Sequence, residues 1–319
     1  MMYSIAIDLG GTVVKVGLIR DGKIAGFTLL EAFSERGVRP NLPLIKSAIN
    51  DLLFKENVAQ NELSGVGLAF PGLVNPINNT IISTNKKYDD ARDLDFNEWV
   101  ENNWRVPFFM DNDARLAVVG EWKYGAACGH KNVVMVTIGT GIGTGVIMDD
   151  SLLYGEHFQA GSLGGHFVVD YKARRCSCGN IGCVEALASS SFLPQIISEN
   201  DALSPEFRER AVQYDFKKIF SLASEGETDA ITVRNNCMDI WAAAIVTYIH
   251  AYDPNIIVLG GGIMKSKDLI IPYIKDRVDR LAWCPSGKVD IVASRLEDSA
   301  ALLGIQYSLL KRLKMGEIN

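Results

Sequence analysis

Short apolar runs broken by glycine turns organise this chain. Residues 4–8 make a buried-strand pattern, followed by a glycine-rich turn, an apolar run over 13–19, the Asp21-Gly22 turn and a third run over 24–30. That order predicts three strands in a meander. Apolar residues at helical spacing predict helices over 43–54 and 96–104, while 66–70 (stopped by Pro71-Gly72), 81–82 and 106–110 read as strands. Residues 114–124 read as a helix closed by Gly125 in a left-handed cap.

The theme then repeats. A run over 133–138 enters Gly139-Thr140-Gly141-Ile142-Gly143 and returns as a strand through Met148 to the Asp149-Asp150 turn. Two strand, glycine-turn, strand units predict two related lobes. After a cysteine-rich loop come a mostly helical stretch over 204–252, a buried strand over 255–259 ending in Gly260-Gly261-Gly262, further helices, one more strand and a closing helix over 298–310. Trp99, Trp104, Trp122, Trp241 and Trp283 fall in helical stretches and read as packing residues. No segment resembles a flexible tether, so helices are expected to join the lobes. The division is placed at 1–115, with a closing helix of about 300–319 packing back on it, and 116–299 carrying the cysteine loop.

Composition narrows the function classes. With 319 residues, 48% of them hydrophobic, the chain can fill two α/β cores that share a cleft. Its net charge of −6, without a basic stripe, argues against a nucleic-acid partner. No apolar run approaches the roughly 20 residues of a bilayer span, and no leader pattern precedes the first strand, so a cytoplasmic protein with no membrane partner is expected. Cys176, Cys178 and Cys183 cluster while Cys128, Cys237 and Cys284 are scattered. This is a metal-site pattern in a reducing compartment, not a disulfide framework.

Three glycine turns carry candidate phosphate chemistry. In Asp8-Leu9-Gly10-Gly11-Thr12, with Lys15 beyond, paired glycines let backbone N–H groups approach phosphate oxygens and Thr12 adds a hydroxyl. Asp8 is placed to hold Mg²⁺ through water. The turn containing Gly139, Thr140, Gly141 and Gly143 offers the equivalent amides in the second lobe, and Gly261 and Gly262 follow a strand end that could floor an adenosine pocket. Between strand and helix, Asp111-Asn112-Asp113 offers Asp113 as a base for an attacking hydroxyl and Asn112 as a sugar partner. Helix capping is the competing reading for both. His166 with Cys176, Cys178 and Cys183 supplies three thiolates and an imidazole, the closed set of a structural zinc site; a redox pair is the rival.

In this order the residues resemble the ROK family of sugar kinases and sugar-responsive repressors, within the actin and hexokinase-like superfamily. The resemblance runs over almost the whole chain: Asp8 to Thr12 with Lys15, then Gly67-Leu68-Ala69-Phe70-Pro71-Gly72, Asn112-Asp113-Ala114, Gly139 to Gly143, the loop closing in Cys183-Val184-Glu185, and Leu259 to Gly262. It implies a two-lobed, ribonuclease H-like α/β fold with an interlobe cleft, and ATP-dependent phosphorylation of a hexose or N-acetylhexosamine, usually on C6. Asp113 would be the base. Asn112, His166 and Glu185 would hold other hydroxyls, with Gly72, Thr84 and Asn85 nearby. ATP would lie between the lobes with its phosphates on both hairpins, and family members are often homodimers.

Family repressors carry a winged helix-turn-helix before the first hairpin. Here the hairpin begins at Tyr3, so a kinase is expected over a non-catalytic sugar-sensing regulator. One departure bears on the sugar. The family's Glu-x-Gly-His is replaced by Gly161-Ser162-Leu163-Gly164-Gly165-His166, which puts Leu163, or Ser162 if one glycine is inserted, at the glutamate position. Neither is a carboxylate.

Overall fold

The computed structural model describes residues 2–84, 87–316 and 318. The first half holds β1 (Tyr3–Leu9), β2 (Val13–Arg20), β3 (Lys23–Glu31), α1 (Leu42–Lys55), β4 (Leu63–Phe70), a small hairpin of β5 (Leu73–Asn75) and β6 (Thr80–Ser83), α2 (Phe96–Trp104), β7 (Phe108–Asn112) and α3 (Asp113–Tyr124). The second half holds β8 (Val133–Ile138), β9 (Ile142–Met148), β10 (Ser151–Leu152), α4 (Val184–Ala188), α5 (Leu193–Ser198), α6 (Pro205–Glu209), α7 (Phe216–Ser224), α8 (Thr228–Tyr252), β11 (Ile256–Gly260), α9 (Lys267–Leu281), β12 (Asp290–Ala293) and α10 (Ala300–Met315).

The repeat seen in the sequence is a repeat of topology. One five-stranded sheet has the order β3-β2-β1-β4-β7 and the other β10-β9-β8-β11-β12. In each, three strands form an antiparallel meander and the first of them is extended by two parallel strands. Two lobes of one plan result.

Strand alternation explains how the lobes meet. In β1, Ile5, Ile7 and Leu9 face the core under α1 and α2, while Ala6 faces the opposite way. In β8, Val134 and Val136 face the core under α4 to α9, while Val133 and Met135 share an inner core with Ala6, Ala69, Phe109 and Val258. The inner core contains α3 and α10, which lie as a helical layer between the two sheets. Those helices touch backbone to backbone: a Cβ on Gly120 would run into the Ala300 carbonyl, and one on Gly304 into the Leu116 carbonyl. Any larger residue there would push the layer apart.

Some local expectations change. Gly125 closes α3 with φ −118°, outside the left-handed region; it is glycine because a Cβ would collide with the buried Glu121 carboxylate. Trp283 is 80% exposed in the connection after α9, because Ala282 turns extended and ends the helix. β7 runs on through Asn112, so Asp111 and Asn112 belong to the strand and Asp113 opens the helix. Among the described residues no helix is long and apolar enough to cross a membrane.

Candidate active site

The two glycine turns are built alike. Between β1 and β2 the turn is Gly10-Gly11-Thr12, and between β8 and β9 it is Gly139-Thr140-Gly141. In the first, the Gly10 N–H donates to the Val13 carbonyl at 3.0 Å, and a Cβ there would sit 2.5 Å from that oxygen. The carbonyls of Gly10 and Gly11 accept from the Tyr88 and Ser34 hydroxyls, each at 2.7 Å. In the second, the carbonyls of Gly139 and Thr140 accept from the N–H groups of Ser190 and Ser191, each at 3.0 Å. Carbonyls one and two of each turn are thus held from behind. The N–H groups of Gly11 and Thr12, and of Thr140 and Gly141, have no partner among the described residues. Unpaired amides of this kind form an anion cradle.

Around the first turn, Asp8 lies across the ladder from Lys15, whose Nζ is 3.4 Å from Asp8 Oδ2 and 2.9 Å from Asp298 Oδ1. Burial pushes the Asp8 carboxyl up from its ordinary range while Lys15 opposes the shift. Around the second, Gly261 adopts φ +91° and packs against the Ile138 carbonyl, bringing the third glycine cluster, with Gly262 in open space, beside this hairpin. Gly143 packs on Thr137 and on Ala114 of α3.

Asn112 caps α3, its Oδ1 accepting from the Arg115 N–H at 3.1 Å. Its amide donates to the Gly72 carbonyl at 3.0 Å and to Asp113 Oδ1 at 2.9 Å. Asp113 Oδ1 also accepts from the Ala114 N–H at 2.7 Å, whereas Oδ2 has no partner among the described residues. Burial, then the negative Asp8, pushes the Asp113 carboxyl up to about 6 against the pull of the Ala114 N–H, Lys87 and the Asn112 amide. Capping therefore falls to Asn112, and half of the Asp113 carboxylate remains available.

Behind this junction lies a buried group that the sequence hinted at only by an i,i+4 spacing. Asp111 and Arg115 have fully buried side chains 3.4 Å apart. Asp111 also accepts from the Tyr154 hydroxyl at 2.8 Å, and Arg115 donates to the carbonyls of Phe158 and Ala160 at 2.7 and 3.2 Å. The pair ties the start of α3 to the loop that leads into Ser162. The Ser162 hydroxyl is buried and donates to the Gln159 carbonyl at 3.1 Å, and Leu163 opens the short turn Gly164–His166.

The cysteine loop brings together its four expected residues. One ligand atom from each of His166, Cys176, Cys178 and Cys183 lies within 4.8 Å of all the others. Cys176 Sγ is 3.6 Å from His166 Nδ1, and the Cys178 and Cys183 sulfurs are 3.7 Å apart. Ligands at about 2.3 Å (sulfur) and 2.0 Å (nitrogen) from one tetrahedral ion would be separated by about 3.5 to 3.8 Å. Two residues on, Glu185 lies in the first turn of α4; its Oε2 accepts from the Ile142 N–H at 2.9 Å, and a Cβ on Gly141 would lie 2.5 Å from that oxygen. Glu185 thus braces the second glycine turn.

Thr84 is buried with its hydroxyl donated to Asp89, and Asn85 lies outside the described residues. Lys87, unmarked by any local motif, sits over the first turn, with its Nζ 3.4 Å from where a Cβ on Gly11 would be.

Comparison with known proteins gives this geometry its context. The glucokinase of Thermotoga maritima is 30% identical over 316 residues, covering 97% of this chain and 98% of that protein. The xylose repressor of Bacillus subtilis is 27% identical over 309 residues, covering 95% and 76%. A ROK family glucokinase from Streptomyces griseus, solved in complex with glucose and AMPPNP, matches with a TM-score of 0.77 at 24% identity over 97% of this chain and 99% of that one. The ROK hexokinase of Thermus thermophilus matches with a TM-score of 0.78 at 24% identity over 99% and 100%. The ROK family profile matches residues 4–312. With its paired hairpins and its cysteine and histidine cluster in a two-lobed hexokinase-like fold, this chain belongs to the ROK family.

Proposed function

We propose that this chain is an ATP-dependent sugar kinase that phosphorylates a hexose or an N-acetylhexosamine on its C6 hydroxyl, with Asp113 as general base. The observation that carries the reading is the pair of like-built turns, each with two unpaired N–H groups, together with a half-spent Asp113 carboxylate at the opening of α3. Phosphoryl transfer is catalysed mainly by positioning and by fixed positive dipoles on the phosphate oxygens. The turns supply those dipoles. A base whose pKa lies at about 6 is mostly ionised at neutral pH and still basic enough to take the hydroxyl proton through Oδ2.

Asp8, with Gly10, Gly11, Thr12 and Lys15, and Gly139, Thr140, Gly141, Gly143, Gly261 and Gly262 opposite, would hold the nucleotide. The buried Asp8 carboxylate, offset only by Lys15, suits a hard cation held through water, and Mg²⁺ would neutralise phosphate charge there. Asn112, His166 and Glu185 would orient the sugar beside Gly72 and Thr84. With both amide N–H bonds spent on protein, Asn112 offers the sugar only a lone pair of Oδ1. The His166, Cys176, Cys178 and Cys183 set fits zinc by donor type and spacing, and all four positions are filled by protein, which makes the ion structural.

The test is a coupled ADP-release screen across common hexoses and their N-acetylated amines, with the phosphorylated position fixed by NMR. Sugar-dependent ADP release with a 6-phosphate product supports the reading. Calorimetric sugar binding without ADP release under any condition would replace it with a sugar-sensing regulator, the class to which the xylose repressor relatives belong by name.

A further inference from the structure

Lys87 lies between β6 and α2, and its position is fixed from several sides. The Lys87 N–H donates to the Thr84 carbonyl at 3.0 Å. The next residue, Tyr88, is fully buried in the left-handed region with φ +56°, donates its N–H to the Ser34 carbonyl at 3.0 Å and its hydroxyl to the Gly10 carbonyl at 2.7 Å. Ser34 in turn holds the Gly11 carbonyl. The backbone that carries Lys87 is therefore pinned to the same turn that its ammonium covers.

Among the described residues the ammonium has no carboxylate within ion-pair distance. Nζ and Cε both lie 3.4 Å from the point a Cβ on Gly11 would occupy, yet among the described residues Lys87 makes no ion pair and no side-chain hydrogen bond. Lys15, the other cation of this turn, is held by Asp8 and Asp298. A structural lysine would be paired, or would extend into water. An unpaired ammonium beside the unpaired N–H groups of Gly11 and Thr12, with the Asp113 carboxylate in its field, has the environment of a group awaiting an anion.

We propose that Lys87 is a further catalytic residue, whose ammonium contacts the terminal phosphoryl group of ATP as it passes from the first glycine turn to the sugar hydroxyl held at Asp113. The proposal rests on the kinase reading above. In the step, the hydroxyl oxygen bonds to the γ-phosphorus, the bond from that phosphorus to the bridging oxygen breaks with its electron pair leaving on ADP, and the hydroxyl proton passes to Asp113. Lys87 stays protonated throughout and offsets charge on the transferring oxygens.

Lys87→Met and Lys87→Arg provide the test. The methionine variant should keep the native melting temperature and sugar affinity but lose on the order of 10²- to 10³-fold in kcat, the scale of removing one donor to a charged transition state. Lys87→Arg should recover part of the loss. The acid limb of kcat/KM should also move to higher pH in Lys87→Met, because Asp113 would lose the Lys87 charge and face burial and the negative Asp8 with only the Ala114 N–H and the Asn112 amide still opposing the rise. A second readout needs no turnover: the native protein should bind a non-hydrolysable ATP analogue more tightly than ADP, and Lys87→Met should lose that preference. Near-native kcat in Lys87→Met of an active enzyme, or an unchanged preference for the analogue, would overturn the assignment. Absence of turnover in the native protein with every sugar would count against the kinase reading, and the analogue preference would still decide whether Lys87 meets the third phosphate.

Discussion

Replacing Asp113 by Asn should slow turnover and stabilise the fold in the same variant. The native carboxyl titrates at about 6 against an ordinary value of 3.8. At ~1.4 kcal/mol per unit, that rise makes the ionised form a liability of roughly 3 kcal/mol at neutral pH. Partial exposure of the side chain reduces the figure to about 1–2 kcal/mol. The folded state binds this proton more tightly than the unfolded state does. The associated stability is therefore fully present below pH ~3.8 and is lost as pH rises through about 6.

Asn carries no charge at any pH, and its oxygen can still accept from the Ala114 N–H. Asp113→Asn should accordingly gain about 1–2 kcal/mol at pH 7.5, a rise on the order of 2–5 °C in melting temperature, shrinking to about a third of that at pH 4.5. Turnover should fall on the order of 10²-fold or more. Scanning calorimetry at the two pH values and steady-state ADP release measure both. A merely structural Asp113 would give a small loss at either pH with activity kept. A lower melting temperature at pH 7.5, or a gain of equal size at both pH values, would refute the electrostatic argument.

Cys178→Ser should reduce bound zinc from one per chain towards none and lower the melting temperature with it, since site and loop form together; native reduced protein without zinc on metal analysis would refute this. Arg115→Met should cost ~3–5 kcal/mol in urea unfolding, because it strands the buried Asp111 charge and two carbonyls; a loss under ~1 kcal/mol would mean that the Tyr154 hydroxyl suffices. With Ser162 or Leu163 in place of a carboxylate, the native protein should discriminate weakly around sugar C1 and C2, or prefer an altered group there. kcat/KM for glucose against its C2 epimer should sharpen in Ser162→Glu or Leu163→Glu, whichever side chain faces the sugar. Sharp native selectivity for glucose would sink that idea.

What could be read from the sequence shares a physical trait: the constraint is local. Glycines gathered within three residues between two apolar runs are visible in the sequence itself, so 10–12 and 139–141 announce themselves. Four ligands around one ion impose short spacing, so the cysteine loop does too. What stayed hidden depends on partners far along the chain. Asp111 and Arg115 look like a polar start to a helix until Tyr154, Phe158 and Ala160 close over them, and only their i,i+4 spacing hinted at a pair. Gly125 looked like a left-handed cap, but its reason is the Glu121 carboxylate one turn back. Trp283 continues an apolar rhythm past the point where Ala282 leaves helical geometry, and periodicity alone does not register that exit.

The two glycine turns reach one pose by different means, and the difference decides what each is coupled to. In the first lobe the rear carbonyls are held by side-chain hydroxyls of Ser34 and Tyr88, on the segments that also carry Lys87. In the second they are held by backbone N–H groups of Ser190 and Ser191, while Glu185 holds Ile142 from the side. These three residues follow Cys183 by two, seven and eight positions. The loop of the candidate metal ligands is thus only a few residues along the chain from the groups that hold the second glycine turn. An ion held by these ligands would fix the start of α4, whose Glu185 Oε2 accepts from the Ile142 N–H and lies 2.5 Å from where a Cβ on Gly141 would be.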